Sequence, residues 1–443
     1  MKKNALKYQT AWRRLGDAVV KPDGNYANSV CMNPNVIQKD NDIYLFYAGD
    51  QVDHYRNIRL VIFKDGDFSK PDFKGIVINN GPWGSFDGKW CVLPNVVKFK
   101  DKWHMYYSGN CGFGEGLSTF PGLGLAFSDD LIHWEKYSDN PVIKPEGIDG
   151  APDAIGIAGG GLIAMPDGKL RWYYTGCPTI GAEHFLDQQK SLCYAESSDG
   201  INWEKKGAFI SRDIDRNYKD IACTGGPTLF EDGIFKLWHS CIGTRWGFYS
   251  IGYSESEDGI NWNVGECYGD ELAFGPRTRH LDMSEPYLMW DNQMVEYPAV
   301  FNINGKKYMF YTGNGYGLGG IGIAQACNIR VYARNTELFA TYGGEKYDVT
   351  ITAKVNGVEI PASEWSKPDS DCNVWREAEI GGVNVRLIVT HVIDGIRVFC
   401  TAISNGEPVR IETEVSIGSL ASKSDEIYIE ANESKSLKVD VIL

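Results

Sequence analysis

Leu93-Pro94-Asn95-Val96, then a turn, then His104-Met-Tyr-Tyr-Ser-Gly109 is the stretch that decides the fold, because it recurs. Asn33-Pro34-Asn35-Val36 is followed by Tyr44-Leu-Phe-Tyr-Ala-Gly49, and Gly160-Gly-Leu-Ile163 by Arg171-Trp-Tyr-Tyr-Thr-Gly176. Gly226-Pro227-Thr-Leu229 precedes Lys236-Leu-Trp-His-Ser240, and Tyr297-Pro298-Ala-Val300 precedes Tyr308-Met-Phe-Tyr-Thr-Gly313. The anchors at 34, 94, 160, 227 and 298 lie 60, 66, 67 and 71 residues apart. Each copy opens an apolar strand, turns, and runs into an aromatic strand that ends in small residues. Repetition at this period is the mark of an architecture built from one supersecondary unit.

Three copies add a third strand and a tight turn: Gly124-Leu-Ala-Phe-Ser-Asp-Asp-Leu-Ile-His-Trp134, Tyr194-Ala-Glu-Ser-Ser-Asp-Gly-Ile-Asn-Trp203 and Gly252-Tyr-Ser-Glu-Ser-Glu-Asp-Gly-Ile-Asn-Trp262. A turn pair between two alternating runs reads as a hairpin. Each copy therefore supplies about four antiparallel strands, and five copies predict a five-bladed β-propeller. The fifth copy has its third strand, Gly320-Ile-Gly-Ile-Ala-Gln325, but no following Trp motif. Trp12-Arg-Arg-Leu-Gly16 matches Trp203-Glu-Lys-Lys-Gly207, so the N-terminal strand is expected to complete the last blade and remove an open edge. The repeat stops near Asn328. Beyond it, alternating runs between Asn356-Gly357, Gly381-Gly382, Asp394-Gly395 and Asn405-Gly406 predict a C-terminal β-sandwich. The expected organisation is all-β: residues 1–327 as the propeller carrying the site, residues 328–443 as the sandwich.

Composition narrows the function. With 44 basic against 58 acidic residues the net charge is −14, which argues against a nucleic-acid partner. At 43% hydrophobic residues a large core is within reach, yet no run is long enough to cross a membrane as a helix. Met1-Lys-Lys-Asn-Ala-Leu-Lys-Tyr8 carries charge without an apolar run, unlike a secretory signal, so a cytoplasmic protein is expected. The 11 cysteines are scattered without CxxC pairs or metal-type spacing, and read as reduced, mostly buried thiols. No metal and no cofactor are expected.

The blade motifs resemble those of glycoside hydrolase families 32, 43, 68, 117 and 130, and the propeller with a following sandwich resembles family 32. Pro22-Asp-Gly-Asn-Tyr26, the stretch ending at Trp262, and Met294-Val-Glu-Tyr-Pro298 with Gly305–Gly317 also resemble propellers of bacterial polysaccharide loci. The resemblance covers about residues 10–327. It implies an enzyme acting on an oligosaccharide or other glycoside, cleaving the bond with a pair of carboxyl groups. A phosphorylase of the same fold and a non-catalytic glycan-binding propeller remain as alternatives.

Seven residues before the anchor, copies two to five carry Asp87, Asp153, Asp220 and Asp291, while copy one has Ala27. Two residues before it, only the fifth copy has an acid, Glu296. Asp87, Asp153, Asp220 and Glu296 are the candidate catalytic carboxyls. A residue repeated in four blades also suits a structural cap, so the asymmetric Glu296 stands out. By resemblance, families 43 and 32 place an acidic Glu similarly, but in the fourth blade rather than the fifth. Their first-blade Asp-Pro is here Asn33-Pro34, and Gly159 replaces their third-blade Asp. Candidate binding residues are Asp291, Arg245, the Arg277 and His280 cluster, which would suit an anionic sugar or phosphate, and Trp90, one of several non-repeating aromatics available to stack on sugar.

Overall fold

A computed structural model describes the chain except residues 1–5, 7–8, 23–28, 51–53, 114–119, 179–189, 211–221, 225, 243–248, 266–271, 277–289, 328–329, 335–336, 343–344, 367–373 and 393–394. Among the described residues the chain is almost wholly strand and turn. Among the described residues five antiparallel units, four of four strands and one of five, follow one another. The first is Cys31–Lys39, Asp42–Asp50, Arg56–Phe63 and Pro71–Ile78, and the second is Trp90–Phe99, Lys102–Asn110, Gly122–Ser128 and Glu135–Lys136. One parallel bridge, Arg56 to Trp90, joins these two edge to edge. The third runs Gly156–Ala164, Leu170–Cys177, Ser191–Ser197, Glu204–Ile210. In the fourth, Ala222–Thr224 and Thr228–Glu231 share the innermost place beside Ile234–Ile242, followed by Ser250–Ser256 and Asn263–Val264. The last has the order Glu296–Ile303, Lys306–Thr312, Ile321–Cys327 and Ala11–Arg14. Early residues thus form the outer strand of the last unit, and Leu15 N donates to Ile323 O at 3.0 Å beside it.

The repeated aromatics pack one unit on the next. Trp134 meets Phe46 of the first unit at 5.8 Å, Trp203 meets Tyr106 of the second at 5.4 Å, and Trp262 meets Tyr173 of the third at 5.5 Å. The turns before these tryptophans supply acceptors: the Tyr106 hydroxyl donates to Gly200 O and the Tyr173 hydroxyl to Gly259 O, each at 2.7 Å. Each turn is fixed by an aspartate whose Oδ1 accepts two backbone N–H groups, as Asp199 does from Ile201 and Asn202. Partial burial opposes ionisation there, but these bonds outweigh it and hold the Asp199 carboxyl below the usual range.

The small residue closing the aromatic strand has a separate use. Ser108 Oγ accepts Gly159 N–H at 2.7 Å, Ser240 Oγ accepts Tyr297 N–H at 2.8 Å, and Thr312 Oγ1 accepts Asn33 N–H at 3.2 Å. The hydroxyl of one unit holds the anchor of the next, and the last of these bonds returns from the fifth unit to the first. The apolar core does the same: Leu45, Val61 and Phe63 pack with Phe301, Phe310 and Ile321. These closing contacts and the sheet order make the fold a β-propeller.

Toward the C-terminus, a sheet is built from Arg330–Arg334, Glu337–Tyr342, Glu345–Val355, Val409–Ile417 and Ala421–Ile429, with Val358–Glu359 attached. A second contains Val374–Ile380, Val383–Val392, Gly395–Ser404 and Ser434–Ile442. Alternate residues of both, including Ile351, Ala353, Val415, Leu387, Val398 and Val439, share one buried core, as a sandwich requires. Asn356 and Gly357, with φ of 51° and 82°, form the left-handed pair of a tight hairpin turn. The chain divides into two compact units, Met1–Leu6 with Arg14–Cys267 and Leu288–Ala324, and Lys7–Arg13 with Tyr268–Tyr287 and Gln325–Leu443.

The thiols are not all reduced. Cys31, Cys91, Cys111, Cys177, Cys193, Cys327 and Cys400 are free, but Cys241 is disulfide-bonded. Cys223 lies opposite it in the strand register. This corrects the expectation, drawn from spacing, that the thiols are reduced.

Candidate active site

The five anchors meet. Pro34, Pro94, Gly160, Pro227 and Pro298 all line one void of about 30 Å³. The innermost strands break register where they reach it, between Met32 and Asn35, Val92 and Asn95, Ala158 and Gly161, and Glu296 and Ala299. The residues before the prolines take left-handed φ at Asn33 (56°), Leu93 (54°) and Tyr297 (47°). Such backbone is costly for residues with a Cβ, about 1–3 kcal/mol each, and concentrates at functional sites. Here its effect is visible: Asn33, Leu93 and Tyr297 line both the axial void and a neighbouring cavity of about 670 Å³.

That cavity is lined by apolar Val30, Met32, Val92 and Phe120 and by polar Asn33, Asn110, Thr175, Tyr249 and Tyr316. Arg56, Lys89 and Lys190 add positive charge, and His54 an imidazole. Trp90 also lines it. Its indole donates to His54 O at 2.8 Å, and the Arg56 guanidinium lies 4.2 Å from its ring centre. The Asn33 side chain is 3% exposed, and neither its Oδ1 nor its Nδ2 has a hydrogen-bond partner. A buried amide left unsatisfied in a cavity wall is a ready donor and acceptor for a ligand.

Glu296, at the start of its innermost strand, is fully buried. No donor makes a hydrogen bond of good geometry to either carboxylate oxygen. Burial pushes its pKa well above the usual carboxylate range; Lys190, the Tyr297 hydroxyl and Arg56 oppose that and are outweighed. Glu296 is not itself in the cavity lining. Lys190, Tyr297 and Arg56, the groups that act on it electrically, all are, as is Tyr316, whose own pKa is raised to about 12 by burial and then by Glu296. The Lys190 ammonium donates to the Tyr249 hydroxyl at 3.0 Å.

The repeated aspartates do something else. Asp87 Oδ2 accepts from the Tyr107 hydroxyl at 2.9 Å and pairs with Lys136 at 2.6 Å. Asp153 Oδ2 accepts from Tyr174 at 2.9 Å and pairs with Lys205 at 2.6 Å. Asp291 Oδ2 accepts from Tyr311 at 2.9 Å and pairs with Arg14 at 2.6 Å. The tyrosine comes from the aromatic strand and the cation stands two residues after the repeated Trp, so each aspartate clips the loop, second strand and outer strand of one sheet. None of the three lines the cavity; in each the Oδ2 oxygen holds its own sheet together. In the fourth copy His239 and Val264 replace the tyrosine and the cation, and the His239 imidazole instead meets Ser254 Oγ at 2.9 Å. Asp220 itself, with Arg245, Arg277 and His280, lies outside the described residues.

Sequence reading missed Asp50. It follows the small-Gly end of the first aromatic strand, the place Asn110 occupies in the second. It is 4% exposed, its Oδ1 accepts from Arg56 Nε at 2.8 Å, and His54 Nδ1 stands 3.7 Å from Oδ2. Both of these partners line the cavity. Among the described residues no group of three His, Cys, Asp or Glu is arranged to hold a metal ion.

Residues 87–324 match the profile of the glycosyl hydrolases family 32 N-terminal domain, more than half of the chain. The protein belongs to glycosyl hydrolase family 32. Among its relatives is the uncharacterised protein Rv1502 of Mycobacterium tuberculosis, 27% identical over 322 residues, which are 71% of this chain and 98% of that one. Another is a sucrose-6-phosphate hydrolase of Escherichia coli, 24% identical over 234 residues, or 51% of this chain and 42% of the enzyme. Among solved structures, a BT0996 complex with RGII superposes with a TM-score of 0.56 at 15% identity, covering 72% of this chain and 92% of that one, which bears on fold alone. This family 32 chain is therefore a carbohydrate-active, glycoside hydrolase-like protein whose substrate is a glycoside.

Proposed function

We propose that the sheets close a five-bladed ring over about residues 1–327, followed by a sandwich domain, and that the cavity beside the ring axis cleaves a glycosidic bond with Glu296 as general acid. The observation that carries this reading is Glu296 itself: a fully buried carboxyl whose pKa burial raises well above the usual range, next in the chain to Tyr297 of the cavity lining. A general acid must hold its proton at working pH, and desolvation is how a carboxyl does so. Its proton goes to the leaving oxygen as the bond to the anomeric carbon breaks. Asn33 offers an amide where the resemblance to related families places an aspartate, so this position supplies no nucleophile. The attacking group then comes from solvent, and Asp50, the other buried acid next to the cavity's cations, takes its proton. Asn33, Trp90 and Tyr297 bind the sugar.

A second reading has its own support. Arg56, Lys89 and Lys190 line the same cavity, and cations there suit phosphate as the attacking group, as in a glycoside phosphorylase. One experiment separates the readings. The protein is incubated with sucrose 6-phosphate, RGII oligosaccharides and a panel of neutral disaccharides, with and without inorganic phosphate, and products are resolved by chromatography. Hydrolysis without phosphate, lost on Glu296→Gln by about 10²-fold or more, supports the first reading. A sugar phosphate formed only when phosphate is present supports the second. Binding of the panel without any turnover would favour a non-catalytic glycan-binding protein.

A further inference from the structure

Three aromatic side chains sit outside the cavity and serve no core. Trp83 is 57% exposed and Phe113 55%, and their ring centres are 5.2 Å apart; Tyr55 stands 6.3 Å from Trp83. Each ring is tilted by about 60° to its neighbour, so the three present a faceted ledge rather than a closed stack. The ledge is continuous with the cavity. Gly112 lines the cavity and takes φ of 79°, and a Cβ there would come within 2.9 Å of the Trp83 ring and 3.2 Å of Lys89. Only glycine lets the indole lie this close. Lys89, another lining residue, holds its ammonium 4.2 Å from the Tyr55 ring centre. None of the three rings falls at a position of the blade repeat, so the propeller does not need them. Exposed apolar patches of this kind, rimmed by polar groups, mark binding grooves.

We propose that Tyr55, Trp83 and Phe113 form a saccharide subsite outside the cavity, which stacks on the sugar that follows the cleaved bond's immediate neighbours. The inference rests on the glycosidase reading of the cavity and adds the substrate's length to it: an oligosaccharide of at least three or four sugars. A sugar ring has an apolar face of C–H groups and a rim of hydroxyls. The exposed indole and phenyl faces fit the first, while Lys89, Asn110 and His54 at the adjoining rim offer hydrogen bonds to the second. Continuity with the cavity is what selects a sugar over a protein partner, because a glycan leaving the cavity past Gly112 meets Trp83 first.

The test uses Glu296→Gln protein as parent on an array of immobilised oligosaccharides of two, four and six sugars, drawn from fructan, arabinan, β-1,2-mannan and RGII. The expected result is that the parent binds the four-sugar member of at least one series more tightly than the two-sugar member. Trp83→Ala with Phe113→Ala then cuts the ratio of those two affinities about tenfold or more, and Trp83→Phe, which keeps a ring, restores most of it. Both positions are more than half exposed, so folding is little affected. An unchanged ratio in the double variant, in a parent that does bind, overturns the ledge and leaves the cavity reading standing. A parent that binds no glycan overturns both. Loss of binding to another protein, with the glycan ratio unchanged, also counts against the ledge as a sugar site.

Discussion

Glu296 and Asp153 are both fully buried carboxyls, and the structure separates them by their partners. Asp153 has a tyrosine hydroxyl and an ammonium within 2.9 Å; Glu296 has no hydrogen bond of good geometry. The pH dependence follows. Because burial raises the pKa of Glu296 in the folded state, the folded protein holds a proton that the unfolded chain releases near pH 4.3. Its contribution to stability is full below that value and is lost as pH rises toward the folded pKa. Glu296→Gln carries no such proton. Melting temperatures of the two proteins measured from pH 4 to 8 should therefore diverge, the wild type losing ground to the variant as pH rises. A constant difference across that range would mean that Glu296 is not protonated in the fold. Sequence alone singled out Glu296 by its asymmetry, since it breaks the repeat. Asp50 was not legible, because its importance comes from Arg56 and His54 across a strand connection.

At the scale of the strands, the repeat itself was the most readable feature. Proline or glycine anchors, aromatic runs and Asp-Gly turns each map onto the innermost strand, the second strand and the outer hairpin. The recurring aspartates were equally visible, but their partners were not. Nothing in local spacing says that Asp153 meets Tyr174 and Lys205, which lie 21 and 52 residues later, until the sheet is assembled. The hydroxyls of Ser108, Ser240 and Thr312 looked like mere small residues and prove to hold the next anchor. The clip predicts a cost. Lys205→Met removes the cation from a fully buried aspartate, and stripping one partner from such a pair costs about 3–5 kcal/mol, toward the low end here because the lysine is partly exposed. Denaturant titration should show this loss. The exposed pair of Lys21 with Asp17 is the control, and Lys21→Met should change stability by less than about 1 kcal/mol.

For the molecule as a whole, closure depends on the two ends of the propeller sequence meeting. Arg14 reaches Asp291, Thr312 holds Asn33, and the first and last sheets share a core. Deleting residues 1–16 should leave the last sheet with an open edge and Asp291 with a buried, unmatched charge. The expected outcome is a protein that aggregates or melts several degrees lower in a thermal scan, and an unchanged melting curve would show that the outer strand is dispensable. Fold class and the β-sandwich were legible because strand periodicity and turn residues are local. The cavity was not, because its walls come from all five propeller units. The central claim is that Glu296 donates a proton to a departing glycosidic oxygen. Once the sugar is known, the most direct measurement is kcat of wild type and Glu296→Gln on two glycosides of that sugar, one with an alkyl leaving group and one with 4-nitrophenol. A phenolate that leaves unaided does not need the acid. The expected loss is about 10²-fold or more on the alkyl glycoside and only a few-fold on the aryl glycoside. Equal losses on both, or none on either, would contradict the claim.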